Sequence, residues 1–340
     1  MVGLSLLAVL SAACSSSSSA PSSSSSTPAA SSSATAGSVA HVGGSVNVAF
    51  AGSLLNLNEK TIGPEFTKAT GTKYTGEGAG AVGMSQEIAS GEVPANVFES
   101  IGSYPLQNVQ PKFSTWSVGL VASPIVVAYS PACPKYGSEL SQIAAGKLPL
   151  SKLFSIMAEP GVTLARSDPD TDPQGQAFYE MVEQAQTLYN LPAGTASKIL
   201  GPLDNPKETF SETSLQSYLE SGQVCLESDY QASAIQSKLH YINLPDSINF
   251  GEPSLDSTYA KYTLKLKNGT TVHGVPTEIF AAPIGTKNQD QALAFIAYQL
   301  QPSVRAQFKA AGYQLVTPQI VGTGAPAQIK SLVAAAGASS

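Results

Sequence analysis

Residues 45–52, SVNVAFAG, alternate apolar with small or polar residues and end in glycine, and a stretch of helical period follows at once, SLLNLNEKTIGPEFTKATG. A strand that closes on small residues and turns straight into a helix is the unit from which a mostly parallel sheet is wound. In this helical stretch Gly63-Pro64 predicts an interruption and Gly71 a stop. The succession then repeats. TKYTGEGAGAV reads as strand and turn, GMSQEIASGE as helix, and ANVFES and SVGLVASPIVVAYSP as further strands. A second α/β stretch runs from about 126 to 268, with helical GQAFYEMVEQAQTLYNL (175–191), ETSLQSYLESG (212–222) and YQASAIQSKL around strand-like QVCLES and HYINLP. VHGVPTEIFAAPIG (272–285) reads as one more strand, before a long helical region punctuated at Pro302 and Gly312. The 340 residues suffice for one large or two medium domains with real cores, and no repeat of 20–50 residues is present.

The first 44 residues do not share this rhythm. GLSLLAVLSAAC is too short an apolar run to span a bilayer and ends in small residues before Cys14. It resembles a bacterial lipoprotein signal over residues 1–14, with lipid carried on Cys14; the alternative is a plain secretory signal with an incidental cysteine. Residues 15–44 are almost wholly Ser, Ala, Thr, Pro and Gly, which bury too little apolar surface to offset ordering entropy, so a disordered tether is expected. A tether behind a lipidated cysteine suits an extracytoplasmic protein anchored to the cell membrane. In that oxidising setting Cys133 and Cys225 are candidates for one disulfide, against two separate buried thiols.

Charged residues make up only 12% of the chain and the formal net charge is −6, so there is no basic surface for nucleic acid or anionic lipid. A small anion held by backbone N–H groups and hydroxyls needs no such surface. Catalytic signatures are lacking: there is no GxSxG elbow, P-loop or GxGxxG after a strand. No spacing suggests a zinc site, and His41, His240 and His273 are scattered. A Ser nucleophile with His240 or His273 is the remaining enzymatic alternative.

The most chemically loaded stretch is RSDPDTDPQGQAFY, 166–179. Its alternating aspartates imitate a calcium loop, but with Asp168 as position one the sixth and twelfth places hold Pro173 and Tyr179 rather than Gly and Glu. Pro169 and Pro173 bias Asp168 and Asp172 away from helical geometry, and a helix begins just after Asp172, so a capped, proline-braced turn is one reading. Ser53, between a strand and a helix, reads either as a simple cap or as an anion contact.

FAGSL, PANVFES and the terminal ALAFIAYQLQPSVRAQFKAAGY resemble the type II periplasmic-binding-protein fold. Within it, FAGSL, DPDTDPQG and LHYINLPDSINF resemble the archaeal-type molybdate/tungstate-binding proteins of ABC importers. The resemblance implies an α/β, two-lobed fold: lobe 1 from 45–125 plus 269–335, lobe 2 from 126–268, with crossings near 118–128 and 268–280 around a ligand cleft. It implies oxyanion contacts from Ser53, from Ser100, and from the EGAGAV turn through the backbone of Ala81, where relatives carry a serine. It also implies that Asp172 of DPQG ligates the metal at the centre of the oxyanion. Asp229 falls where relatives carry a second ligating carboxylate, a glutamate; Glu227, on the same face of an extended strand, is the alternative. Molybdenum and tungsten accept added carboxylate oxygens, whereas sulfur does not, and hydrogen phosphate has a proton to donate. The function implied is a non-enzymatic receptor, expected as a monomer without a cofactor, that passes molybdate or tungstate to a membrane permease. Receptors for phosphate or sulfate, or a secreted hydrolase or sensor on the same scaffold, are the alternatives.

Overall fold

The computed structural model describes residues 41–338; the signal segment, Cys14 and the tether as far as residue 40 lie outside the described residues. Among the described residues the strands are β1 (Ser45–Ala51), β2 (Lys73–Ala79), β3 (Val97–Ile101), β4 (Trp116–Ala122), β5 (Ile125–Tyr129), β6 (Leu164–Ser167), β7 (Thr209–Phe210), β8 (Leu226–Tyr230), β9 (Tyr241–Ile242), β10 (Thr263–Lys265), β11 (Thr271–His273), β12 (Glu278–Pro283) and β13 (Gln314–Gly322). They form a six-stranded sheet, β13-β4-β12-β3-β1-β2, a five-stranded sheet, β7-β6-β8-β5-β9, and the hairpin β10-β11. Each of the two larger sheets is the centre of one lobe. β3, β4, β5 and β12 are buried along their whole length, which is why β4 and β5 run mostly apolar instead of alternating.

Both sheets reverse winding direction beside a central strand. β1 pairs in parallel with β2 on one side and with β3 on the other, so the crevice at its carboxyl end is a topological switch point. β6 lies in the same way between parallel partners β7 and β8. Such crevices hold ligands because loops diverge there and helix N-termini converge. Ser53 follows β1, Asp172 follows β6, and Asp229 ends β8.

Two strands pass between the lobes side by side. Ser123-Pro124 links β4 to β5, residues 274–277 link β11 to β12, and Ser123 N–H donates to Thr277 O at 3.0 Å. Two short connections joined by one backbone bond are a natural hinge. Cys133 and Cys225 form a disulfide that closes a loop of 92 residues within lobe 2. In the chain-entropy picture such a closure contributes roughly 4–5 kcal/mol.

Two sequence expectations are corrected. The helical run after β1 does not break at Gly63-Pro64: a 3-10 turn (Gly52–Leu54) continues through Leu55–Leu57, a π turn (Asn58–Ile62) and Gly63–Thr70. The π turn sits just ahead of Pro64, which has no N–H to give the ladder. Gly71 ends the run with φ +70°, as its lack of Cβ permits. Residues 272–285 are not one strand either. The chain leaves the β10-β11 hairpin, passes the hinge at Pro276, and enters the other sheet as β12.

Candidate functional site

Lobe 1 contributes the turn after β1. Gly52 and Ser53 start the helical run, so their N–H groups have no partner within it. Ser53 is buried and its hydroxyl has no hydrogen-bond partner. Tyr313 Oη donates to Ser53 O at 2.8 Å and fixes the turn from behind. Ala81 opens the helix Ala81–Ser90 after β2, and Gly83 N–H, from its first turn, donates across the cleft to Thr171 O at 3.0 Å. A Cβ on Gly80 would lie 2.7 Å from that carbonyl oxygen and 3.1 Å from Asp172 Cβ, so glycine is what allows the two lobes to approach here.

Lobe 2 contributes carboxylates. Asp172 is buried and caps the helix Pro173–Leu188, its Oδ1 accepting from Gln174 N–H at 2.9 Å while Oδ2 has no full hydrogen bond. Asp229 is also buried, and its Oδ1 accepts from Tyr230 N–H at 2.7 Å. Glu212 comes from the 3-10 turn Glu212–Ser214 and lies against Gly52 and Ser53 across the cleft, with both carboxylate oxygens buried. Ser53, Glu212, Glu227 and Asp229 line one cavity of about 60 Å³. Organic-ligand pockets run to roughly 300–1,000 Å³, so this volume suits a small ion. No lysine, arginine or histidine lines it. Arg166, on β6, turns away and donates to Pro202 O at 2.8 Å, with its guanidinium on the Tyr179 ring.

Crowded carboxylates in a dry cleft resist ionisation. Burial raises Asp172 to about 6, against the opposing effect of Gln174 N–H, and raises Asp229 to about 7, against Tyr230 N–H. Glu212 is pushed well above the usual range by burial first and then by Asp172 and Asp229. Burial, then Asp229 and Glu220, takes Glu227 to about 9. The Tyr230 hydroxyl, buried without a partner, is held protonated by burial and by the same three carboxylates, Asp172, Glu212 and Asp229.

Asp172 and Asp229 both bear on Glu212 and on the Tyr230 hydroxyl, Glu212 lies against the Gly52-Ser53 turn, and Gly80, just before Ala81, packs against Asp172. Glu227 shares a cavity with Ser53 and Asp229, and the acids that bear on it are Asp229 and Glu220. Ser100 is not drawn in: it is fully buried in β3 and its hydroxyl donates to Gly102 O at 3.0 Å. Asp168 and Asp170 serve the turn and its neighbour. Asp168 Oδ1 accepts from Asp170 N–H, and Asp170 takes Lys267 N–H at 2.9 Å and Lys267 Nζ at 3.3 Å, pinning the β10-β11 hairpin. Sequence reasoning missed Glu212 and Tyr230. Tyr230 directly follows Asp229, a signal within reach; Glu212 lies 40 positions beyond Asp172 in a stretch that reads as plain helix.

The family model for bacterial extracellular solute-binding proteins matches residues 46–314. The chain belongs to this family. Such receptors work outside the cytoplasm, and this solute-binding protein has its cleft where a solute is enclosed between two lobes. Among its relatives is the molybdate/tungstate-binding protein WtpA of Pyrococcus abyssi, 26% identical over 319 residues, 85% of this chain and 88% of that protein. A putative ABC transporter molybdenum-binding protein of Haloferax volcanii is 25% identical over 250 residues, 74% of each chain. The periplasmic molybdate-binding protein of Azotobacter vinelandii shares the two-lobed fold with a TM-score of 0.55 at 19% identity, over 80% of this chain and 99% of that one.

Proposed function

We propose that this solute-binding protein captures molybdate or tungstate between its lobes and hands it to the permease of an ABC importer, without catalysing a reaction. The observation that carries this reading is the set of buried carboxylates: Asp229 and Glu212 line a cavity with the Ser53 turn that, among the described residues, has no cationic side chain, and Asp172 lies behind Glu212. A receptor for sulfate, which has no proton to donate, gains nothing from negative charge there. A molybdenum or tungsten centre does, because it takes oxygen donors such as carboxylates directly. The names of the relatives from Pyrococcus abyssi and Haloferax volcanii support the same ligand class. In this reading the Ser53 hydroxyl and the N–H groups of the Gly52 and Ala81 turns hold oxo groups, and lobe closure brings the carboxylates to the metal. The GLSLLAVLSAAC segment supports anchoring through Cys14, with residues 15–44 as the tether.

Thermal unfolding with molybdate, tungstate, phosphate and sulfate side by side tests the assignment. At 100 times Kd a ligand adds about 2.7 kcal/mol, which for a chain of this size raises Tm by roughly 5 °C. Molybdate and tungstate are expected to give that rise and sulfate none. Stabilisation by sulfate or phosphate without molybdate or tungstate overturns the reading.

A further inference from the structure

Three of the acids of the cleft, Asp172, Asp229 and Glu212, are not held alike. Asp172 and Asp229 each have one oxygen anchored by a backbone N–H of their own lobe, Gln174 and Tyr230 respectively. Such side chains are fixed, with the second oxygen left for a ligand. Neither oxygen of Glu212 has a full hydrogen bond. Its carboxylate instead lies across the cleft, faced by the N–H groups of Gly52 and Ser53. A Cβ placed on Gly52 would fall within contact of Glu212 Oε2, which marks how closely the carboxylate fills the space over that turn. Two adjacent N–H groups at the start of a helical run form a natural seat for an oxyanion oxygen.

Building on the oxyanion reading above, we propose that Glu212 is an internal competitor that sets ligand selectivity: its carboxylate rests on the Gly52-Ser53 donors, and an anion reaches them only by displacing it. A metal oxyanion offsets that displacement by bonding to Asp172 and Asp229. Sulfate cannot, because sulfur takes no further ligands, so Glu212 excludes it. The selectivity of the site then arises partly from what blocks the wrong anion.

Isothermal titration of wild type, Glu212→Gln and Glu212→Ala with tungstate and sulfate, at fixed pH and salt, tests this. Glu212→Ala uncovers the Gly52 and Ser53 donors, and one hydrogen bond to a charged group is worth about 1.5–3 kcal/mol, so sulfate is expected to bind about tenfold or more tightly in that variant. Glu212→Gln keeps an acceptor over the donors and is expected to gain less than Glu212→Ala. Tungstate gains less than sulfate in both variants, so the selectivity ratio narrows. Weaker tungstate binding in either variant makes Glu212 a ligand of the cargo and overturns the proposal. A sulfate gain below about threefold in both variants overturns it as well. A wild-type protein that binds neither molybdate nor tungstate refutes the metal-oxyanion reading instead, and the Glu212 variants are then judged on whichever of sulfate or phosphate it does bind.

Discussion

Asp172→Asn is expected to weaken tungstate binding by roughly 100-fold or more while leaving the fold intact. The substitution is chosen because Asp172 does two things. Its Oδ1 caps the helix Pro173–Leu188 through Gln174 N–H, and its Oδ2 is free in the cleft. Asparagine keeps the capping oxygen, whose loss costs about 1 kcal/mol, and removes only the charge and the donor strength of a carboxylate. Changing a group that merely supports a metal ligand typically costs 10–100-fold in affinity, so a direct ligand stands at or beyond the upper end of that range. The sign of the effect is diagnostic. If the anion were held by N–H groups and hydroxyls alone, neutralising a nearby carboxylate would strengthen binding. Calorimetry on Asp172→Asn therefore separates the two modes, and unchanged or tighter binding of tungstate contradicts the assignment of Asp172.

The ligand-free protein is expected to lose stability as pH rises, with Tm falling by about 5 °C or more between pH 5.5 and 8.5. The cause is buried acid. Asp172 titrates at about 6, Asp229, Glu99 and Glu278 at about 7, and Glu227 at about 9, each raised chiefly by burial. In the unfolded chain the same groups titrate near 4. Between these limits the folded state holds protons that the unfolded state has released, so stability falls as pH increases. The contribution is fully present below about pH 4 and is withdrawn step by step through the folded-state values, the last of it near 9 with Glu227. Glu99 acts apart from the cleft: it lies in β3 and accepts from Asn58 Nδ2 at 2.6 Å, so Glu99→Gln should flatten the part of the profile near 7. Scanning calorimetry across this range checks the slope, and a Tm that is flat or rises towards pH 8.5 contradicts it.

How much of this was legible in the sequence depended on whether a side chain's role is set locally. β1 and the turn at Ser53 are announced by SVNVAFAGS, because strand alternation and a small-residue turn are short-range signals. The acids of lobe 2 stood out in DPQG and in CLESDY, and the ambiguity between Glu227 and Asp229 had a physical basis, since both lie on one face of β8. Glu212 was not legible. Nothing in SETSLQ distinguishes an acid that crosses a cleft from one that begins an exposed helix, and only the approach of the two lobes brings it to Gly52. The Ser100 hydroxyl shows the opposite case. Its strand was correctly located, but a hydroxyl at a strand end has a backbone carbonyl within reach, and Gly102 takes it. The single strand expected over 272–285 misjudged the hinge, where apolar residues on either side of Gly274 and Pro276 belong to different sheets. Period alone does not reveal which sheet a strand joins.

The central claim is that protein carboxylates bond to the metal of the captured oxyanion. X-ray absorption at the tungsten L3 edge of the tungstate-loaded protein tests it most directly, because the signal comes only from the metal and its neighbours. Bonding by Asp172 and Asp229 predicts an expanded, six-coordinate oxygen shell with two bonds longer than the oxo bonds. A regular four-coordinate tungstate, indistinguishable from the free anion, contradicts the claim.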